Sequence, residues 1–272
     1  MSRLATRFAT LREQGRTALI PYITAGDPQP SVTVPLMHAL VAAGADVLEL
    51  GVPFSDPMAD GPVIQAACER ALEHHVSLRQ ILDMVSTFRQ QDEQTPVVLM
   101  GYLNPVEVMG YEVFSRAAHE AGVDGVLTVD LPPEEAQDLL VSLKAEGLDP
   151  IFLAAPTSDD ERIRLMSRAG GGFLYYVSFK GVTGANRLDV QSVKDKLTQI
   201  RANTELPVGV GFGISDAESA ARIAEFADAV VVGSALVKRI AALLDSPEQI
   251  PVQAPQVIAE MRAAMDRVVA TS

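Results

Sequence analysis

The sequence predicts an α/β chain folded as a (β/α)8 barrel of the TIM type with an extra N-terminal helix, and three observations carry that expectation. Eight short apolar runs alternate with helical periodicities along the chain. None of those runs alternates apolar with polar residues, which is the pattern of a parallel sheet buried on both faces. The 272 residues, 48% of them hydrophobic, suit one large core, and no linker divides residues 1–272, so one barrel domain is expected. A doubly wound open sheet is the alternative. Nothing like G-x-G-x-x-G follows the first strand, where a dinucleotide fold needs it.

Residues 1–14 hold Arg3, Arg7, Arg12 and Glu13 without a continuous apolar stretch, so they read as an amphipathic helix and not as an export signal. Residues 18–24 (A-L-I-P-Y-I-T) form the first strand, leading into Ala25-Gly26-Asp27-Pro28. Helical spacing follows over 30–43 (Val34, Met37, Leu40, Val41), with Gly44 as the stop. The second strand carries Val47, Leu48, Leu50 and Val52 around Glu49, and residues 63–72 read as a helix. Ser77-Leu78-Arg79-Gln80 is a capping box for a helix with Leu78, Ile81, Leu82, Val85 and Phe88 on one face. Residues 96–102 are the third strand, 113–120 a helix ending at Gly122, and 125–130 the fourth strand. Pro132-Pro133-Glu134-Glu135 reads as the start of a helix that Gly147 ends. Residues 150–155 are the fifth strand, and Ser158-Asp159-Asp160-Glu161 reads as a second capping box. Residues 173–179 and 207–212 are the sixth and seventh strands, and Ser215-Asp216-Ala217-Glu218 caps the next helix. Residues 227–232 are the eighth strand, followed by a helix over 235–244. A Pro-containing connection over 246–255 leads to a terminal helix with Val257, Met261, Met265 and Val268 inward.

Charge narrows the function classes. Twenty-two Lys and Arg against 35 Asp and Glu leave −13, with no basic block, so neither a nucleic acid nor an anionic membrane is expected as partner. An anionic small substrate stays open, because backbone N–H groups can hold it whatever the net charge. No stretch of 18 apolar residues occurs, so a cytoplasmic protein is expected. The single Cys68 excludes an internal disulfide and reads as a small buried hydrophobe. The four histidines (His38, His74, His75, His119) lack zinc-ligand spacing, so no metal site is expected.

Glu49 stands out because it interrupts an apolar strand. Burying an unpaired carboxylate costs several kcal/mol or drives its pKa upward, to roughly 6 or beyond, where it can exchange protons near neutral pH. A loop rich in Pro and Gly then delivers Asp60 just before Gly61-Pro62. Alone, Asp60 would be an Asx turn and Glu49 a structural carboxylate; on one barrel face they form a candidate catalytic pair. Glycines gather where a barrel's last loops hold phosphate: Gly181 to Gly184, then Gly211-Phe212-Gly213-Ile214-Ser215, then Gly233-Ser234-Ala235. Ser234 also precedes a helix whose dipole favours an anion. Tyr22, Met100, Tyr102, Leu127, Leu153, Tyr175 and Phe212 bring apolar or aromatic bodies to the same mouth, which suits a flat apolar group. Asp27, Asn104 and Asp130, also at strand ends, read as turn and helix-start residues.

These stretches closely resemble the α chains of tryptophan synthase. The resemblance rests on P-Y-I-T-A-G-D-P from Pro21, E-L-G-V-P-F-S-D-P-M-A-D-G-P-V-I-Q from Glu49, and G-Y-x-N-P from Gly101. It continues through V-D-L-P-P-E-E from Val129, G-V-T-G from Gly181, G-F-G-I-S from Gly211 and V-G-S-A from Val232. It implies a lyase of tryptophan biosynthesis that splits indole-3-glycerol phosphate into indole and glyceraldehyde 3-phosphate by a retro-aldol step. Glu49 is then similar to the family's acid/base, and Asp60 to the group that stabilises the indole N–H. Tyr175 would lie beside the glycerol moiety, and Thr183 would close the site over Asp60. Gly184, Gly213, Gly233 and Ser234 would bind phosphate, and Tyr22, Met100, Tyr102, Leu127 and Phe212 would form the indole pocket. The resemblance also implies an α2β2 complex, with no cofactor in this chain and pyridoxal phosphate in the β chain, contacted through the segment from Pro53 to Asp56. The chain departs from the family at Phe179-Lys180, where an Arg often follows the serine of strand six. A free-standing lyase, a non-catalytic phosphate-binding subunit and a sugar-phosphate isomerase are the competing readings.

Overall fold

The computed structural model describes residues 2–178, 190–211 and 213–269. Among these, eight strands close a barrel in sequence order, each parallel to both neighbours. They are β1 (Ala18–Thr24), β2 (Leu48–Gly51), β3 (Val97–Gly101), β4 (Gly125–Thr128), β5 (Asp149–Ala154), β6 (Leu174–Val177), β7 (Val208–Gly211) and β8 (Ala229–Val232). Helix α1 (Arg3–Glu13) precedes the barrel; α2 (Pro30–Ala42), α3 (Pro62–Glu73), α4 (Leu78–Arg89), α5 (Leu103–Met109), α6 (Tyr111–Ala121) and α7 (Gln137–Ala145) follow in turn. The remaining helices are α8 (Asp160–Ala169), α9 (Val190–Arg201), α10 (Ala217–Ala224), α11 (Ser234–Ala241), α12 (Ile250–Gln253) and α13 (Gln256–Val269).

Side chains leave a strand on alternate sides, and this period of two sorts the core into two layers. Leu19, Ile23, Leu48, Leu50, Val97 and Leu99 face outward and pack with Leu36, Leu40, Ile81 and Phe88 of the helices. Ile20, Val47, Val98, Leu127, Ile151, Phe173, Tyr175 and Val231 fill the barrel interior, with Leu4, Phe8 and Leu11 of α1 packed against them. The extra N-terminal helix therefore plugs the barrel. Glu49, two residues beyond Val47, is inward by the same alternation.

At the N-terminal ends of the strands one device recurs. Asp46, Asp124 and Asp228, each just before a strand, accept backbone bonds from Leu19 (2.9 Å), Val97 (2.8 Å) and Val208 (2.9 Å) at the start of the preceding strand. Arginines neutralise all three: Arg262 of α13 reaches Asp46, Arg89 reaches Asp124 and Arg201 reaches Asp228. Arg262 also donates to Thr17 O (3.0 Å), so the terminal helix is tied to the start of β1.

The expected elements differ from the observed ones mainly at helix starts. The Pro132-Pro133-Glu134-Glu135 segment is a turn, closed by Glu135 N to Pro132 O (3.0 Å), and α7 begins only at Gln137. A residue before proline is pushed away from helical backbone, which delays the start. Asp159, not Ser158, caps α8, because the Ser158 hydroxyl is taken by Ala155 N. Asp216 rather than Ser215 caps α10, with Ser219 completing the box. The Ser77 and Gln80 box of α4 forms as expected. Helix α5 was not foreseen: its first N–H, at Leu103, is capped by Asp130 from beyond β4 (2.8 Å), a partner no local window contains. The connection over 246–255 is a short 3-10 turn (Pro247–Gln249) followed by α12.

Candidate active site

A cavity opens at the C-terminal ends of the strands, walled by Tyr22, Glu49, Asp60, Met100, Tyr175, Gly213, Gly233 and Ser234 together with Gly61, Ile64, Ile214 and Val231. Glu49 is 1% exposed, and its Oε1 is buried with no hydrogen-bond partner among the described residues. Burial, reinforced by the negative charge of Asp60, pushes its carboxyl up to about 8. At neutral pH Glu49 is therefore mostly protonated, an acid with a free oxygen facing a cavity.

Two tyrosines flank it, each in a space left by glycine. Tyr22 is paired in register with Glu49, and a Cβ on Gly51 would come within 2.1 Å of its hydroxyl oxygen. Tyr175 stands in the same relation to Gly211, also 2.1 Å. The glycines let large phenols lie flat across the neighbouring strand. Tyr22 shares a bond with Thr24 Oγ1 (3.1 Å). Burial holds both phenols well above their usual pKa, so they stay neutral.

Asp60 arrives on the loop between β2 and α3, half-buried. Tyr102, after β3, donates to Asp60 Oδ2 (2.9 Å) and accepts from Ala59 N (3.0 Å), while Phe54 stacks on its ring at 5.1 Å. Burial raises the Asp60 carboxyl and the Tyr102 bond opposes that rise. On the far wall, Gly233 precedes α11 without a side-chain cap, leaving first-turn N–H groups of a helix beside the cavity. A buried carboxyl, a second carboxylate and a helix N-terminus without a side-chain cap thus share one cavity.

Tyr22, Glu49, Asp60, Met100, Tyr175, Gly213, Gly233 and Ser234, all expected from the sequence, come together here. Tyr102 reaches the site through Asp60 rather than through the cavity wall. Leu127, also expected in the pocket, is 1% exposed in the interior cluster and does not line this cavity. Thr183, Gly184 and Phe212, with Phe179-Lys180, lie outside the described residues. Of the segment expected to contact a partner, Pro53 is itself buried, so Ser55 and Asp56 are what it turns outward. Asp27 is a buried ion-pair partner of Arg70, and Cys68 is a buried thiol pushed up to about 11 by burial. Among the described residues no three His, Cys, Asp or Glu side chains cluster as a metal site would require, and no helix is long and apolar enough to cross a membrane.

Sequence reasoning missed Ile64, Val231 and Gln65. Val231 was readable, since it shares the inward face of β8 with Ala229. Gln65 was read only as a helix position and as the last residue of the stretch that begins at Glu49. Its Nε2 donates to Asp60 O (2.8 Å) and Pro57 O (3.4 Å).

Residues 8–266 match the family model described as tryptophan synthase alpha chain. The tryptophan synthase alpha chain of Thioalkalivibrio sulfidiphilus is 68% identical over 266 residues, covering 98% of this chain and all of that one. That of Nitrosococcus oceani is 63% identical over 266 residues, covering 98% of each. Among solved structures, tryptophan synthase subunit alpha from Legionella pneumophila superposes with a TM-score of 0.92 at 46% identity, over 98% of this chain and 99% of that one.

Proposed function

The chain belongs to the tryptophan synthase alpha chain family, an enzyme subunit of a lyase, and from that premise we propose that it cleaves indole-3-glycerol phosphate with Glu49 and Asp60. One observation carries the reading: a buried Glu49 carboxyl with an unpartnered oxygen, pushed up to about 8 by burial, shares a cavity with the N-terminus of α11, which has no side-chain cap. A substrate with a flat ring at one end and a phosphate at the other touches both.

The reaction asks for that pairing. Carbanionic indole is a poor leaving group, so Glu49 first gives its proton to indole C3, leaving the positive charge on the ring nitrogen. The resulting Glu49 carboxylate then takes the proton of the adjacent glycerol hydroxyl. As that O–H electron pair becomes the aldehyde C=O, the C–C bond breaks and its electrons neutralise the ring, releasing indole and glyceraldehyde 3-phosphate. Asp60, one oxygen held by Tyr102, keeps the other for the indole N–H and stabilises the cation. Gly213, Gly233 and Ser234 receive the phosphate, with the α11 dipole favouring its charge. Tyr22 and Met100 enclose the ring, and Tyr175 lies beside the glycerol.

Residues 1–272 act as one domain in the cytoplasm. A β chain that carries pyridoxal phosphate is the partner, in an α2β2 complex, and Asp56 is part of the surface it meets. An indole-release assay tests the whole reading. The chain should form indole slowly from indole-3-glycerol phosphate, faster with a β chain, and Glu49→Gln should abolish both rates. A rate unmoved by the β chain would favour a free-standing lyase, and no indole under either condition would defeat the proposal.

A further inference from the structure

We propose that Gln65 is a positioning residue for Asp60: its side-chain amide fastens the loop that carries this carboxylate to helix α3. The inference rests on the reading of Asp60 given above and extends it to a residue that touches no substrate.

The loop makes a tight turn at its end, with Asp60 N bonded to Pro57 O (3.0 Å). That leaves the Asp60 carbonyl to be held and a second lone pair on the Pro57 carbonyl. Gln65 Nε2 donates to both Asp60 O (2.8 Å) and Pro57 O (3.4 Å). Both acceptors are carbonyl oxygens, so only the NH2 end of the amide fits this place, and a carboxylate there would meet two acceptors. The residues between offer nothing in its stead: Gly61 at the N-cap has no side chain, and Pro62 has no N–H. Tyr102 holds the turn from the other side, at Ala59 N and at the Asp60 carboxylate.

Helix α3 can serve as the fixed end. Arg70, further along it, makes a two-point ion pair with Asp27 (2.6 and 2.9 Å), which is 2% exposed in the loop after β1. Ala67 is fully buried with Tyr22 and Val237, and Val63 and Ile64 pack against them. Asp60 is therefore suspended between an amide on a pinned helix and a phenol beside β3, which sets where its free oxygen meets the indole N–H. A carboxylate that acts mainly in the transition state must be aimed before the reaction begins, and misaiming by about 1 Å costs up to roughly a hundredfold in rate.

The test is steady-state indole formation from indole-3-glycerol phosphate by the full chain, for Gln65→Met, Asp60→Asn and the double variant. Gln65→Met keeps side-chain length and removes the donor. The expected result is a fall in kcat of about tenfold with KM within about twofold, and no further fall when Gln65→Met is added to Asp60→Asn. Wild-type kcat in Gln65→Met, or an undiminished multiplicative loss in the double variant, overturns the proposal. Full activity of Asp60→Asn alone overturns the reading of Asp60 and the positioning role with it, so the two failures are distinguishable. Should Gln65→Met unfold, Gln65→Asn, which keeps the amide one methylene short, answers the same question by the same criteria.

Discussion

Replacing Glu49 by Gln should make the protein more stable as pH rises, by an amount the site fixes. The folded-state carboxyl titrates near 8, against an ordinary value of 4.5. Between those values the unfolded chain has lost a proton that the folded chain keeps. Wild-type stability from this group is thus fully present below pH 4.5, falls as pH rises, and is lost above pH 8. Each pH unit in that window costs about 1.4 kcal/mol, giving about 3 kcal/mol by pH 7 and about 5 kcal/mol by pH 9. Glutamine has the same shape and does not titrate. Urea unfolding of wild type and Glu49→Gln in parallel from pH 5 to pH 9 reads the difference, and other titrating groups cancel between the two proteins. The variant's advantage should grow along that range and flatten above pH 8. A difference that stays constant with pH, or that shrinks, would refute a protonated buried Glu49.

Three further outcomes follow from particular contacts. Gly51→Ala places a methyl within 2.1 Å of the Tyr22 hydroxyl, so thermal unfolding should show a loss of about 1–3 kcal/mol, partly recovered by Tyr22→Leu in the same chain. Arg262→Met leaves Asp46 charged and unpaired in a buried place and should cost about 3–5 kcal/mol in urea unfolding, most of it regained by adding Asp46→Asn. Ser234→Asp sets a negative charge at the start of α11, where the phosphate is proposed to bind; KM should rise by about tenfold or more while the melting curve holds or improves.

What the sequence revealed and what it hid follow from range. Val47, Glu49 and Gly51 alternate with Leu48 and Leu50, so the inward face of β2 was readable from five residues, as was the cost of a carboxylate on it. The eightfold alternation of apolar runs with helical patterns gave the barrel, because each βα unit has to bury both faces of its strand. Depth along the barrel axis was not readable: alternation places Leu127 inward, but only packing shows that it belongs to the interior cluster rather than the cavity wall. Nor was register, which is what sets Tyr22 over Gly51 and Tyr175 over Gly211. Helix α5 escaped because Asp130, its cap, lies 27 residues from Leu103. Gln65 escaped because its partners are main-chain carbonyls, which carry no trace in side-chain identity.

The proposed reaction requires Glu49 to stand as a neutral acid before substrate arrives. Carboxyl 13C NMR of glutamate-labelled protein, with Glu49→Gln used to assign the signal, measures this directly. The resonance should remain that of a protonated carboxyl at pH 7 and titrate with a midpoint near 8. A Glu49 signal already ionised at pH 6 would contradict the account.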